Sequence, residues 1–151
     1  MINRINKTSD LKKFLENKIF QKILIISGKN SFYKTGADNL LSKYLKNKDF
    51  FLYLKKGYLP EYTELKEIIK LKDNYKPDLI IAVGGGCAMD LAKISSVFNL
   101  DKDLKKRVLS NDFSKIKTKV LAIPTTAGSG AEVTLNAVLY INNLKFSIEG
   151  I

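Results

Sequence analysis

Four short apolar runs, at residues 23–27, 50–54, 79–83 and 120–123, constrain this chain more than any other feature. Each is nearly continuous in β-branched and apolar residues and is bounded by Gly, Pro, Lys or Asp. A strand with one wet face alternates in polarity, whereas a continuous run needs cover on both faces, as in a parallel sheet. Between the runs, apolar residues recur at helical spacing. Leu11, Phe14, Leu15 and Ile19 form one stripe, and Leu40, Leu41, Tyr44 and Leu45 a second. Tyr62, Leu65, Ile68 and Ile69 form a third, and Leu91, Ile94 and Phe98 a fourth. This alternation predicts an α/β domain with a parallel sheet, flanking helices and right-handed crossovers. The end of the chain departs from it. Residues 135–141 and 144–148 flank Asn142-Asn143, a pair that tolerates positive φ, and predict a C-terminal β-hairpin. The charged connection 101–119 has room for a short helix or a loop.

Composition excludes several other classes. With 151 residues, 45% hydrophobic and 27% charged, the chain is an ordinary globular sequence of one domain, 1–151. No apolar run approaches the roughly 20 residues of a membrane span. The polar stretch 1–10 lacks the apolar core of a signal peptide. A single Cys forms no intramolecular disulfide, so the cytoplasm is the expected location. The net charge of +11 raises nucleic acid as a partner. However, the lysines are scattered (Lys12, Lys13, Lys18, Lys22, Lys43, Lys46, Lys48, Lys70, Lys72 and Lys76 among them), and Arg4 and Arg107 are the only arginines. With no arginine cluster to read bases, we expect no specific nucleic-acid partner and no membrane partner, only a diffuse attraction for anionic ligands.

The third apolar run leads into Gly84-Gly85-Gly86-Cys87-Ala88-Met89-Asp90-Leu91-Ala92-Lys93. Without side chains, the three glycines let the backbone approach a ligand or adopt positive φ. The helix that follows offers free N–H groups and the positive end of its dipole, which suits a pyrophosphate. The alternative is a tight strand-to-helix turn that binds nothing. The spacing is not the G-x-G-x-x-G fingerprint. Cys87 reads as a small residue where a serine would serve, or as a thiol whose pKa the helix start lowers if it is exposed. Asp90 and Lys93 share a helix face and form an ion pair, or orient the turn toward a ligand.

The fourth run ends in Pro124-Thr125-Thr126-Ala127-Gly128-Ser129-Gly130-Ala131-Glu132-Val133-Thr134. Its adjacent hydroxyls can donate to phosphate or ribose oxygens. Alone it is a polar loop. Together the two turns put ligand-facing groups at the C-terminal ends of strands, where open α/β sheets bind ligands. The pair resembles the iron-containing (group III) alcohol dehydrogenases over nearly the whole chain. The resemblance implies a Rossmann-like sheet with flanking helices plus the hairpin, of dehydroquinate-synthase-like architecture, binding NAD(P). It implies that Gly85, Gly86, Cys87, Ala88 and Met89 line the dinucleotide pyrophosphate; Gly84 and Asp90, at the two ends of the same motif, are further cofactor-binding candidates. It further implies that Thr125 and Thr126 contact the cofactor and that Asn136 and Lys145 lie near it, with a small alcohol or aldehyde as substrate; Ser129, on the same loop as the threonines, is a further candidate.

Three departures qualify the resemblance. Where relatives often carry an aspartate for the adenosine ribose, this chain has Gly28. Loss of that carboxylate removes a barrier to a 2′-phosphate, and Ser31 and Lys34 follow closely enough to bind one, so the expectation tilts to NADP(H). Leu59-Pro60-Glu61-Tyr62 replaces the Pro-Asn-Pro of many relatives, and Glu61 reads instead as an acidic residue at a helix N-terminus. The chain has no His, whereas the family's divalent metal (Fe2+ or Zn2+) is held by one aspartate and three histidines in a later helical domain, expected to be absent here. We therefore expect no metal ligand and no catalytic residue in this chain, which alone would be inactive. It is expected to self-associate or to pair with a separate C-terminal half. The rival readings are a dehydroquinate-synthase-like lyase, disfavoured by the Thr-Thr-Ala-Gly-Ser-Gly loop, and a truncated non-catalytic nucleotide-binding fragment.

Overall fold

The computed structural model describes residues 8–16, 19–113 and 118–151; Arg4, Lys18 and part of the connection 101–119 lie outside them. Strands β1 (Lys22–Gly28), β2 (Asp49–Lys55), β3 (Leu79–Gly84) and β4 (Lys119–Pro124) form one four-stranded parallel sheet in the order β2-β1-β3-β4. Helices α1 (Thr8–Glu16), α2 (Lys29–Tyr33), α3 (Ala37–Tyr44), α4 (Tyr62–Tyr75), α5 (Gly86–Val97) and α6 (Leu104–Leu109) connect and cover it. The expected hairpin is β5 (Ala137–Ile141) with β6 (Leu144–Ile148). Asn142 and Asn143 both turn at positive φ, 51° and 64°, as a two-residue hairpin turn requires. No helix among the described residues is long and apolar enough to cross a membrane.

The period of two along each central strand sorts its side chains into two cores. Ile23, Ile25, Leu79, Ile81 and Val83 pack with α1, α2 and α3. Leu24, Ile26, Ile80 and Ala82 point the other way, into α4, α5 and the hairpin. Continuous apolar runs are thus explained for β1 and β3, which are buried on both faces. The edge strands differ from expectation. In β2, Phe50 and Phe51 are 45% and 44% exposed, and β4 is only partly buried, because an edge strand has a neighbour on one side alone.

Three further differences are local. Ile19 is not part of the first helical stripe: α1 ends at Glu16, and Phe20 supplies the apolar contact instead, its ring centroid 5.0 Å from that of Phe14. The hairpin ladder begins at Ala137, leaving Leu135 exposed. Helix α5 is buried almost all round rather than along one stripe, since the sheet, α4 and β5 all pack against it.

The start of the sheet is stapled by Asp78, whose carboxylate accepts the N–H groups of Lys22 at 2.9 Å and Gln21 at 3.0 Å. These backbone bonds, the one from Lys22 foremost, hold its carboxyl below the ordinary aspartate range. A lowered folded pKa contributes stability above the unfolded value of about 3.9, and that contribution is lost as pH falls through the folded value. Asp78→Ala is expected to cost about 1 kcal/mol at neutral pH, the scale of an exposed charge-assisted pair of bonds. Urea unfolding of both proteins should show the gap closing in acid; an unchanged gap would contradict this role.

Candidate functional site

The C-terminal ends of the four parallel strands come together in register, with Gly28 beside Lys55 and Gly84 beside Pro124. Strand order reverses here: β2 lies on one side of β1 and β3 on the other. Such a switch point opens a crevice between the loops that leave the two central strands. Into it lead the turn from β1 to α2, with Gly28 and Ser31, and the turn from β3 to α5, with Gly84, Gly85 and Gly86. The two turns touch, because a Cβ placed on Gly84 would lie 3.5 Å from the Ser31 hydroxyl oxygen and 3.2 Å from the Ala88 Cβ. At φ 146°, Gly84 also occupies backbone space that other residues rarely adopt.

The threonine turn closes over the same place. The Thr125 N–H donates to the Gly84 carbonyl at 2.9 Å, extending the β3–β4 pairing by one step. A Cβ on Gly85 would lie 2.9 Å from Thr126 Oγ1, and one on Gly86 3.4 Å from the Ser129 Cβ. The last two glycines therefore admit a second loop, a reason for their small size that the sequence reading did not contain. Gly85 caps α5 without a side-chain bond, so the first-turn N–H groups of Gly86 and Cys87 have no intrahelical acceptor. Uncapped N–H groups flanked by the Thr126 and Ser129 hydroxyls suit a phosphate or pyrophosphate. The donor set fits a dinucleotide.

Cys87, on the first turn of α5, is half-buried, and its thiol donates to the Tyr58 carbonyl at 2.8 Å. Burial raises its pKa, outweighing the opposing effect of Lys55, so the helix start does not make it a reactive thiolate. The loop carrying Tyr58 is anchored in turn by a buried pair. Glu64 Oε2 lies 3.7 Å from Lys55 Nζ, and Glu64 Oε1 accepts the Lys56 N–H at 2.6 Å. Nothing in the sequence marked Lys55 and Glu64 as partners, because only the β2–α4 connection brings them together. Glu61 is the N-cap residue of α4, as its helix-terminus reading expected.

Asp90 and Lys93 are the ion pair that their spacing suggested, with Asp90 Oδ1 3.5 Å from Lys93 Nζ. Burial raises the Asp90 pKa and lowers that of Lys93, while each partner opposes the other's shift. Asp90 is 8% exposed and lies on α5, which packs against β5 of the hairpin. Ala88 and Met89 are buried beneath the glycine turn. Asn136 is exposed just before β5, and its carbonyl accepts a bond from Lys93. Lys34 caps the C-terminus of α2, and Lys145 stands opposite Tyr140 in the hairpin. Both are exposed, and no hydrogen bond among the described residues joins them to the glycine turn. No group of three or more His, Cys, Asp or Glu among the described residues could hold a metal ion.

A family model described as iron-containing alcohol dehydrogenase matches residues 2–150. The aldehyde-alcohol dehydrogenase of Streptococcus pneumoniae is 38% identical over 103 residues, covering 59% of this chain and 12% of that protein. The NADPH-dependent butanol dehydrogenase of Clostridium saccharobutylicum is 29% identical over 143 residues, covering 89% and 37%. Among solved structures, sulfoacetaldehyde reductase from Bifidobacterium kashiwanohense, in complex with NAD+, matches with a TM-score of 0.82 over 97% of this chain and 40% of that one. At 20% identity, that likeness is one of fold. This chain spans between 12% and 40% of the length of these three proteins.

Proposed function

This chain belongs to the iron-containing alcohol dehydrogenase family, and from that membership we propose that it is the NAD(P)-binding portion of an enzyme passing hydride between a nicotinamide and a small alcohol or aldehyde. The observation that carries the proposal is the uncapped start of α5, at the switch point between β1 and β3, roofed by Thr126 and Ser129. The pyrophosphate takes the N–H groups of Gly86 and Cys87, and the hydroxyls of Thr126 and Ser129 bind its oxygens or the adjoining ribose. Gly28 and Ser31, on the neighbouring turn, face the adenosine half. Asn136 and Lys145 are carried as cofactor contacts by the resemblance alone. Isothermal titration of the 151-residue chain with NADH and NADPH tests the reading; absence of binding to both would sink it.

NADP(H) is the favoured cofactor. At Gly28 no carboxylate opposes a 2′-phosphate, and Ser31 follows on the next helix with Lys34 at its end. Gly28 has ordinary extended backbone, φ −76° and ψ 147°, and an added Cβ would meet Ser31 Oγ at 3.6 Å, a normal contact. An aspartate therefore fits without disturbing the fold. Gly28→Asp is expected to weaken NADPH binding relative to NADH by about tenfold, or 1.4 kcal/mol, through repulsion of the 2′-phosphate. Equal affinities of the unsubstituted chain for both cofactors would overturn the preference.

A further inference from the structure

We propose that Lys93 is a positioning residue that holds the threonine turn against the glycine turn, so that dinucleotide affinity is set from the rear of α5. The inference rests on the dinucleotide reading of the two turns. Residues 125–136 form neither helix nor strand, yet they carry Thr126 and Ser129. Such a connection is more mobile than the elements it joins, so contacts that fix its ends restrict it. One end is fixed by the Thr125 N–H bond to Gly84.

The other end converges on one ammonium group. Lys93 Nζ donates to the Ala131 carbonyl at 3.1 Å, approaches the Thr134 carbonyl and hydroxyl at 3.4 Å each, and also bonds to the Asn136 carbonyl. An ammonium has three donors and a flexible stem, so it can gather several carbonyls that no strand neighbour satisfies. Asp90, one turn earlier on α5, holds that ammonium in place, and α5 itself packs against β5. Lys93 lies about two helical turns beyond Gly86. The same rigid helix therefore presents the ligand-facing N–H groups and anchors the loop that roofs them. A loosened anchor leaves the glycine turn intact and lets Thr126 and Ser129 drift from it.

The test uses the full chain with Lys93→Met, which keeps the stem but removes the donors, and with Lys93→Arg as the rescue. Affinities are measured for the tighter of NADH and NADPH and for adenosine 5′-monophosphate, alongside amide hydrogen exchange. For Lys93→Met we expect about tenfold weaker dinucleotide binding, the scale of one lost charge-assisted interaction. Monophosphate affinity should stay within about twofold, because that probe reaches less of the roof. Exchange should rise in residues 126–136 and remain unchanged in β1 and β3, and Lys93→Arg should restore both readouts. Unchanged dinucleotide affinity, or equal loss for both ligands with exchange rising throughout the sheet, would overturn the proposal. A chain that binds no dinucleotide before substitution overturns the underlying reading instead, and the two failures are told apart by that first titration.

Discussion

Gly85→Val is expected to weaken dinucleotide binding by about two orders of magnitude, close to 3 kcal/mol, while barely changing the stability of the fold. The backbone of Gly85, at φ −89° and ψ −169°, is open to any residue, so the substitution introduces no backbone strain. The cost is steric. A Cβ at this position meets Thr126 Oγ1 at 2.9 Å, and the branched methyls of valine reach further. Of the two elements, α5 is locked by the sheet, α4 and the hairpin, whereas Thr126 is exposed on an irregular turn, so the turn gives way. Its hydroxyl leaves the mouth of the helix, and the valine methyls occupy space beside the Gly86 and Cys87 N–H groups. Titration calorimetry and thermal unfolding of the same samples check both halves. Binding within about threefold of the unsubstituted chain would mean that the space above Gly85 is not part of the site.

A large loss of stability, rather than of binding, is expected from Ile80→Ala and from Ile81→Ala. The two residues are adjacent and fully buried, but they enter opposite cores, Ile80 beneath α4 and α5 and Ile81 beneath the α1–α3 layer. Truncating a buried isoleucine removes its transfer free energy and leaves a cavity, for a cost of about 2–5 kcal/mol. Both should fall in that range, because β3 has strand neighbours on both edges and helices on both faces. The same truncation at Phe51 on the edge strand should cost about 1 kcal/mol or less, since that ring is already 44% exposed. Against a typical domain stability of about 5–15 kcal/mol, either isoleucine variant loses a large fraction of the total. Urea unfolding midpoints measure the difference. A small cost at one of the two isoleucines would mean that one face of β3 is not a tightly packed core.

The continuous apolar character of residues 23–27 and 79–83 marks strands buried on both faces, where the one polar side chain, Ser27, is satisfied by its bond to the Val83 carbonyl. Residues 50–54 and 120–123 have the same apolar character and are strands too, but they lie at the sheet edges and are only partly buried. Apolar composition does not reveal which strand ends a sheet; that depends on the order β2-β1-β3-β4. Ile19 shows the limit within one turn of chain: helical spacing from Leu15 points to it, yet it is exposed, and Phe20 packs against Phe14 instead.

The candidate site divides along the same line. By itself, the sequence determined the local pieces: a strand running into Gly84-Gly85-Gly86, a hydroxyl-rich turn after Pro124, a hairpin turning on Asn142-Asn143, and the Asp90–Lys93 spacing. Each of these is set by backbone sterics or helical periodicity over a few residues. Only the tertiary structure decided that Thr126 and Ser129 fill the space above Gly85 and Gly86, and that Cys87 is spent on the Tyr58 carbonyl. It alone decided that Lys93 grips the 131–136 segment and that Lys55 meets Glu64. Apart from the Lys55–Glu64 pair, which the β2–α4 connection brings together, those contacts join groups far apart in the chain, and their partners are chosen by strand order and helix packing, which no local pattern encodes.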